Sequence, residues 1–158
     1  MLTNEAMLTT GFTCLYRSPS GGYVYIHRTH GKAEAQQNVP IAKFLAELGE
    51  RVCLLQVVNA PGAKNPDATR NGVEWEFKTP ESSTRNAVDK ALRSASKQAD
   101  RVLLHMHATM DIRELEQAMY ARVLRTENLI EVAVLRGRQL FYFNRHEIVN
   151  NTFRGKIK

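Results

Sequence analysis

Three polar side chains in the middle of the sequence, Asp67, Glu76 and Lys78, are of types that can do chemistry on a phosphate together. The run Val73-Glu74-Trp75-Glu76-Phe77-Lys78 alternates as a strand does. Val73, Trp75 and Phe77 are therefore expected on a core face, and Glu74, Glu76 and Lys78 on the opposite, polar face. Asn71-Gly72 is a hairpin signal that folds Pro66-Asp67-Ala68-Thr69 back along this strand and brings Asp67 alongside. Two acids can hold a divalent ion or move protons, and a lysine can neutralise charge on an attacked phosphate. The ordinary alternative is a solvated strand face carrying a Glu–Lys pair of little energetic weight.

The helix expected next, capped from Ser82-Ser83-Thr84 and running to about Gln98, strengthens the first reading. Asn86, Lys90, Arg93 and Lys97 recur at helical steps and form one mostly cationic stripe. Val88, Ala91, Leu92, Ala95 and Ala99 take the other side. A basic stripe beside an acid–lysine strand makes a groove suited to a phosphate backbone, with the Gln98 amide at its far end; a merely solvated helix face is the competing account. In Arg101–His107, alternation groups Leu103, His105 and His107 on one face. His105 or His107 would approach Lys78 if the two strands are neighbours, and a histidine there suits proton transfer on a ribose hydroxyl. His27, His30 and His146 have no distinctive context.

The elements that must position these groups read β-β-α-β-β-β-α-β-α-β-β. Strands are expected at Gly11–Arg17 and Tyr23–Arg28, joined by the turn-rich Ser18–Gly22. A helix follows with Ile41, Phe44, Leu45 and Leu48 on its apolar side, Pro40 in its first turn and Gly49 at its stop. Arg51–Val58 is expected as a buried strand and Asn59–Asn65 as a loop. Asp111 caps a helix to about Arg125, and strands Leu129–Arg136 and Gln139–Arg145 close the chain around Gly137. The tail Arg154-Gly155-Lys156-Ile157-Lys158 reads as a frayed basic end. So much hairpin excludes a purely parallel sheet. The class is α+β, a mainly antiparallel sheet flanked by about three helices, in one domain over 1–158.

Composition sets the outer limits. The chain has 158 residues, 43% hydrophobic, with a net charge of +6 that favours phosphate-bearing partners. Its apolar runs are too short to span a bilayer, and residues 1–6 lack the pattern of a secretion signal. Cys14 and Cys53 have no neighbours at metal-ligand spacing and read as buried thiols of a reducing, cytoplasmic compartment.

The run Lys64-Asn65-Pro66-Asp67-Ala68, then Gly72 and Trp75-Glu76-Phe77-Lys78-Thr79-Pro80, resembles the C-terminal toxin domain of contact-dependent growth inhibition proteins of the CdiA type. So do Asn86-Ala87-Val88, Ala91-Leu92-Arg93, Ala95, Lys97-Gln98-Ala99 and the later Arg122. The likeness covers roughly 38–148 and leaves 1–30 as an N-terminal hairpin extension. It implies a tRNA-cleaving nuclease with a fold like the barnase/EndoU/colicin/RelE group, an antiparallel sheet presenting the active site, no metal or other cofactor, and an immunity protein as partner. Toxins of this family end very large secreted proteins, whereas this sequence opens on Met1. That leaves open a free-standing relative, a phage or mobile-element protein, or an inactive descendant.

Pro66-Asp67 followed by Glu76-Phe77-Lys78 also resembles the signature of the PD-(D/E)xK nucleases. Their helix, three strands, helix, strand core can be laid over residues 40–106. That likeness implies that Asp67 and Glu76 hold Mg²⁺ and Lys78 positions the attacking water. The bland reading is a nucleic-acid-binding domain without catalysis.

Overall fold

In the computed structural model, residues 10–82 and 84–158 are described. The opening residues 1–9 of the expected N-terminal extension, and the cap candidate Ser83, lie outside that set. The α+β class is borne out, with eight strands and four helices among the described residues. Contacts gather the chain into two compact units that divide between Trp75 and Glu76, inside one strand.

The first unit holds β1 (Phe12–Arg17), β2 (Tyr23–His27), α1 (Lys32–Glu47), β3 (Arg51–Leu54), β4 (Ala68–Arg70) and the opening half of β5 (Val73–Lys78). Its strands pair in chain order. β1/β2, β3/β4 and β4/β5 are antiparallel, and β2/β3, which α1 connects, is parallel. The β4/β5 hairpin turns on Asn71 and Gly72 at φ 49 and 87, the left-handed pair that a tight two-residue connection requires.

Helix α1 begins eight residues earlier than Pro40 suggested, and Pro40 lies inside it. Asn38, Ile41, Ala42, Leu45 and Ala46 form one buried stripe that runs past the proline. An interior proline costs about 3 kcal/mol, which packing along that stripe offsets. Gly49 ends the helix as expected, at φ 95. Strand β3 is shorter than expected, stopping at Leu54. Val57 and Val58 are exposed, and the Asn65 side chain bonds both the N–H and the carbonyl of Val58. The backbone groups of that run are thus satisfied without a ladder.

The second unit begins with the closing half of β5 and continues through α2 (Arg85–Ala95), β6 (Arg101–Met106), α3 (Ile112–Arg125), β7 (Glu131–Arg136), β8 (Gln139–Asn144) and α4 (Arg145–Val149). β5, β6 and β7 run parallel, because each step between them is a helical crossover, and β8 returns antiparallel. Among the described residues antiparallel pairings still outnumber parallel ones, four to three. Thr84 caps α2 by accepting from the Ala87 N–H, and Asp111 caps α3 by accepting from Arg113 and Glu114.

The tail is not frayed. Phe153 and Ile157 are 0% and 4% exposed in the main core, and the Gly155 N–H donates to Glu116. Counting basic residues overlooked two apolar anchors.

Helices α2 and α3 are joined by Asp89, whose carboxylate accepts from Arg122 Nε at 2.8 Å and Nη2 at 3.0 Å. The Arg122 hydrogen bond holds the Asp89 carboxyl below the ordinary carboxylate range despite an opposing effect of burial. A depressed carboxyl contributes stability that is present above the unfolded-state value and is lost as pH falls through the folded-state value. Arg122→Met is therefore expected to lower the urea midpoint at neutral pH, with the gap to wild type closing in strong acid. A gap that is constant with pH would remove this pair from the account of how α2 is held.

Candidate functional site

The strand register decides where Glu76 and Lys78 lie. Glu76 aligns with Val102 and Lys78 with Leu104 across the parallel β5/β6 pair, and aligned residues point to the same side of a sheet. Val102 and Leu104 share an apolar cluster with Val88, Leu92 and Ala95 of α2. The acid–lysine face is therefore the helix-covered face, not an open one, and Glu76 is only 4% exposed. Lys78 Nζ stands 3.4 Å from Glu76 Oε2 and keeps 28% of its side-chain surface, so it lies at the margin of the covered zone. A carboxylate taken out of water requires such a counter-charge. Val73, expected in the core, is 41% exposed next to the turn.

The same register separates His105 from Lys78. Their strands are neighbours, as the sequence reading required, but Lys78 shares its side with Leu104, which places His105 on the other. His105 is half-buried, while His107 is exposed just beyond the strand. Asp67 belongs to the first unit, in the bend before β4, half-buried, with its carbonyl accepting from the Leu55 N–H at 2.9 Å.

Asn86, Lys90 and Arg93 are exposed along α2, which ends at Ala95 rather than near Gln98, so the exposed Lys97 lies in the turn that follows it. Asn86 and Lys90 line a cavity of about 650 Å³ where β5 gives way to α2, together with Thr79, Pro80 and Ala87. Arg93 and Lys97 lie farther along and outside its lining. Gln98 is half-buried in the turn that follows the helix, its N–H donating to the Ala95 carbonyl.

Two features escaped the sequence reading. Thr79 contributes to the cavity wall and has a buried Oγ1 with no hydrogen-bond partner. The Asp89–Arg122 pair joins residues that lie 33 positions apart. An orphaned hydroxyl leaves no trace in periodicity, although Thr79 stands directly after Lys78.

Among the described residues no group of three or more His, Cys, Asp or Glu is arranged to hold a metal ion. A preformed cage is thus not what these residues offer. Magnesium bound by one or two carboxylates together with substrate phosphate needs no such cage. No helix among the described residues is long and apolar enough to cross a membrane. Cys14 and Cys53 are free thiols, and burial raises the Cys53 thiol.

Residues 64–140 match the family model of the contact-dependent growth inhibition CdiA C-terminal domain. That segment contains Asp67, Glu76, Lys78, all of α2 and His105, so the resemblance read from the residues is borne out. A solved CdiA-CT/CdiI toxin and immunity complex from Burkholderia pseudomallei is similar in fold, with a TM-score of 0.51 and 18% sequence identity over 72% of this chain and 89% of that one. No curated protein matches the sequence.

Burial pushes the His105 imidazole below its ordinary value, and the positive charge available to His107 acts in the same direction. An NMR pH titration should find His105 protonating at lower pH than a free histidine, and His107→Ala should move its midpoint part of the way back. A midpoint at or above the ordinary histidine value would contradict the buried placement of this ring.

Proposed function

We propose that the chain, whose residues 64–140 match the CdiA C-terminal domain family, is an endoribonuclease that acts on tRNA. The observation that carries this reading is the Glu76–Lys78 pair at the end of β5, directly before the cavity that Asn86 and Lys90 line. The ribose 2′-oxygen attacks the adjacent phosphorus, forming O2′–P and breaking P–O5′, with a 2′,3′-cyclic phosphate and a free 5′-hydroxyl as products. Lys78 neutralises the charge that builds on the phosphorane oxygens. Glu76 or His105 moves the protons, one taken from the 2′-hydroxyl and one delivered to the departing 5′-oxygen; Glu76 is beside Lys78 but 4% exposed, and His105 lies on the other side of the sheet from Lys78. Asn86, Lys90, Arg93 and Lys97 grip the flanking backbone. A tRNA nuclease works in the cytoplasm, and an immunity protein would be the partner that restrains it, as the complex from Burkholderia pseudomallei suggests.

A second reading is favoured by element order. α1, β3, β4, β5, α2 and β6 follow one another as helix, three strands, helix and strand, with β6 parallel to β5. That is the order of the PD-(D/E)xK core, in which Asp67 and Glu76 would hold Mg²⁺ and Lys78 would orient the attacking water.

Incubating the pure protein with total RNA in EDTA separates the two. Cleavage that leaves 2′,3′-cyclic ends supports the first reading, cleavage only with Mg²⁺ transfers the claim to the second, and no cleavage under either condition leaves a binding domain. Lys78→Ala should slow single-turnover cleavage of bound RNA by roughly 100- to 1,000-fold, the loss typical of one transition-state donor.

Replacing both Lys90 and Lys97 by Ala should act on binding instead. It should weaken RNA affinity and reduce the salt slope by about two phosphate contacts at most. If the double variant abolished cleavage at saturating protein while Lys78→Ala did not, the active surface would lie elsewhere.

A further inference from the structure

The cavity between β5 and α2 is larger than a phosphate needs. It is an open cleft of about 650 Å³, a size within the range of about 300–1,000 Å³ common for small-ligand sites. Its walls are of two kinds. Pro80, Ala87 and Ala91 supply apolar surface, and Ala91 packs on the core beneath. Asn86, Lys90 and the carboxylate of Glu81 are exposed on the same lining, and Thr79 adds a buried Oγ1 that lacks a hydrogen-bond partner. Leaving a buried hydroxyl unsatisfied costs about 1–3 kcal/mol, which a turn of the Thr79 side chain toward a bound ligand would recover.

A bare phosphate would engage Lys90 and leave the apolar wall and Thr79 without a role. A nucleotide uses the apolar wall as well as Asn86 and Lys90. Its base covers the apolar wall, its hydrogen-bonding edge meets the Asn86 amide, which both donates and accepts, and its phosphate meets Lys90.

The geometry points to this cavity as the seat of one unpaired ribonucleotide of the substrate, beside the phosphate that is cut. This rests on the ribonuclease reading above and adds the class of RNA that is accepted. A base inside a duplex has its edge paired and its faces stacked, so only a base in a loop, or one turned out of the helix, can enter. Thr79 follows Lys78 directly, which sets the captured nucleotide next to the group that steadies the phosphorane. Cleavage is thereby confined to loops and single strands.

Calorimetric titration of the full chain with each ribonucleoside 5′-monophosphate, with inorganic phosphate as reference, tests the cavity without requiring catalysis. At least one nucleotide should bind about tenfold more tightly than phosphate, the effect of laying a base on three apolar side chains. Ala87→Trp, which fills the cavity from α2, should remove that preference. Thr79→Val, which keeps the shape and deletes the hydroxyl, should weaken it. In single-turnover assays the wild type should cut a hairpin within its loop and spare a blunt duplex of the same composition. Nucleotides that bind no better than phosphate, or a preference that survives in folded variants, would overturn the proposal. If circular dichroism shows Ala87→Trp unfolded, the wild type and Thr79→Val decide. A protein that prefers nucleotides but cuts no RNA keeps the cavity and loses the ribonuclease; one that cuts duplex and loop alike, without nucleotide preference, does the reverse.

Discussion

The seating of α2 over the parallel strands is the contact on which the rest of the second unit depends. Val88 and Leu92 are fully buried in the same cluster as Val102 and Leu104, and each stabilises the fold by about 2 kcal/mol relative to exposure. The same seating withdraws Glu76 from water. An unpaired carboxylate so withdrawn costs several kcal/mol, as much as the two apolar side chains contribute together. Lys78, two residues on and on the same side of the strand, supplies the covered carboxylate with a counter-charge at 3.4 Å.

That pairing has an electrostatic consequence at the strand end. Lys78 is not wholly enclosed, so its ammonium is held by a buried partner yet remains within reach of an incoming anion. Next to it the chain enters α2, whose first turn carries the positive end of the helix dipole, and Lys90 follows one turn later. The opening turn of α3 also starts from the carboxyl ends of the parallel strands, as crossover geometry demands. The positive ends of two helix dipoles thus meet at one end of these strands, together with the carboxylates of Glu81, Asp111 and Glu114.

The far side of the unit is held by the closing segment. Arg145 Nη1, at the start of α4, donates to the carbonyls of Val123, Thr126 and Leu129, which collects the end of α3 and the turn after it into one hub. Phe153 and Ile157 then dock in the core below. Helix α3 is braced at this end by Arg145 and along its side by Asp89, which leaves α2 a firm surface to lie on.

The order of the eight strands and first three helices, the Asn71-Gly72 turn, the Thr84 and Asp111 caps and the exposed stripe of α2 were legible in the residues, because each follows from contacts a few positions apart, whereas the closing helix α4 was not. So was the family likeness, carried by runs such as Trp75–Pro80. Alternation also placed Glu76 and Lys78 on one side of β5 and grouped His105 away from Val102 and Leu104. It could not say which side a helix would cover, and that is why Glu76 proved buried and His105 proved remote from Lys78. Pro40 inside α1, the docked tail and the Thr79 cavity were hidden for the same reason. Side-chain period is a local property of the chain, whereas coverage and register arise between residues 25 to 30 positions apart, as in Glu76 and Val102, and only the folded chain brings those together.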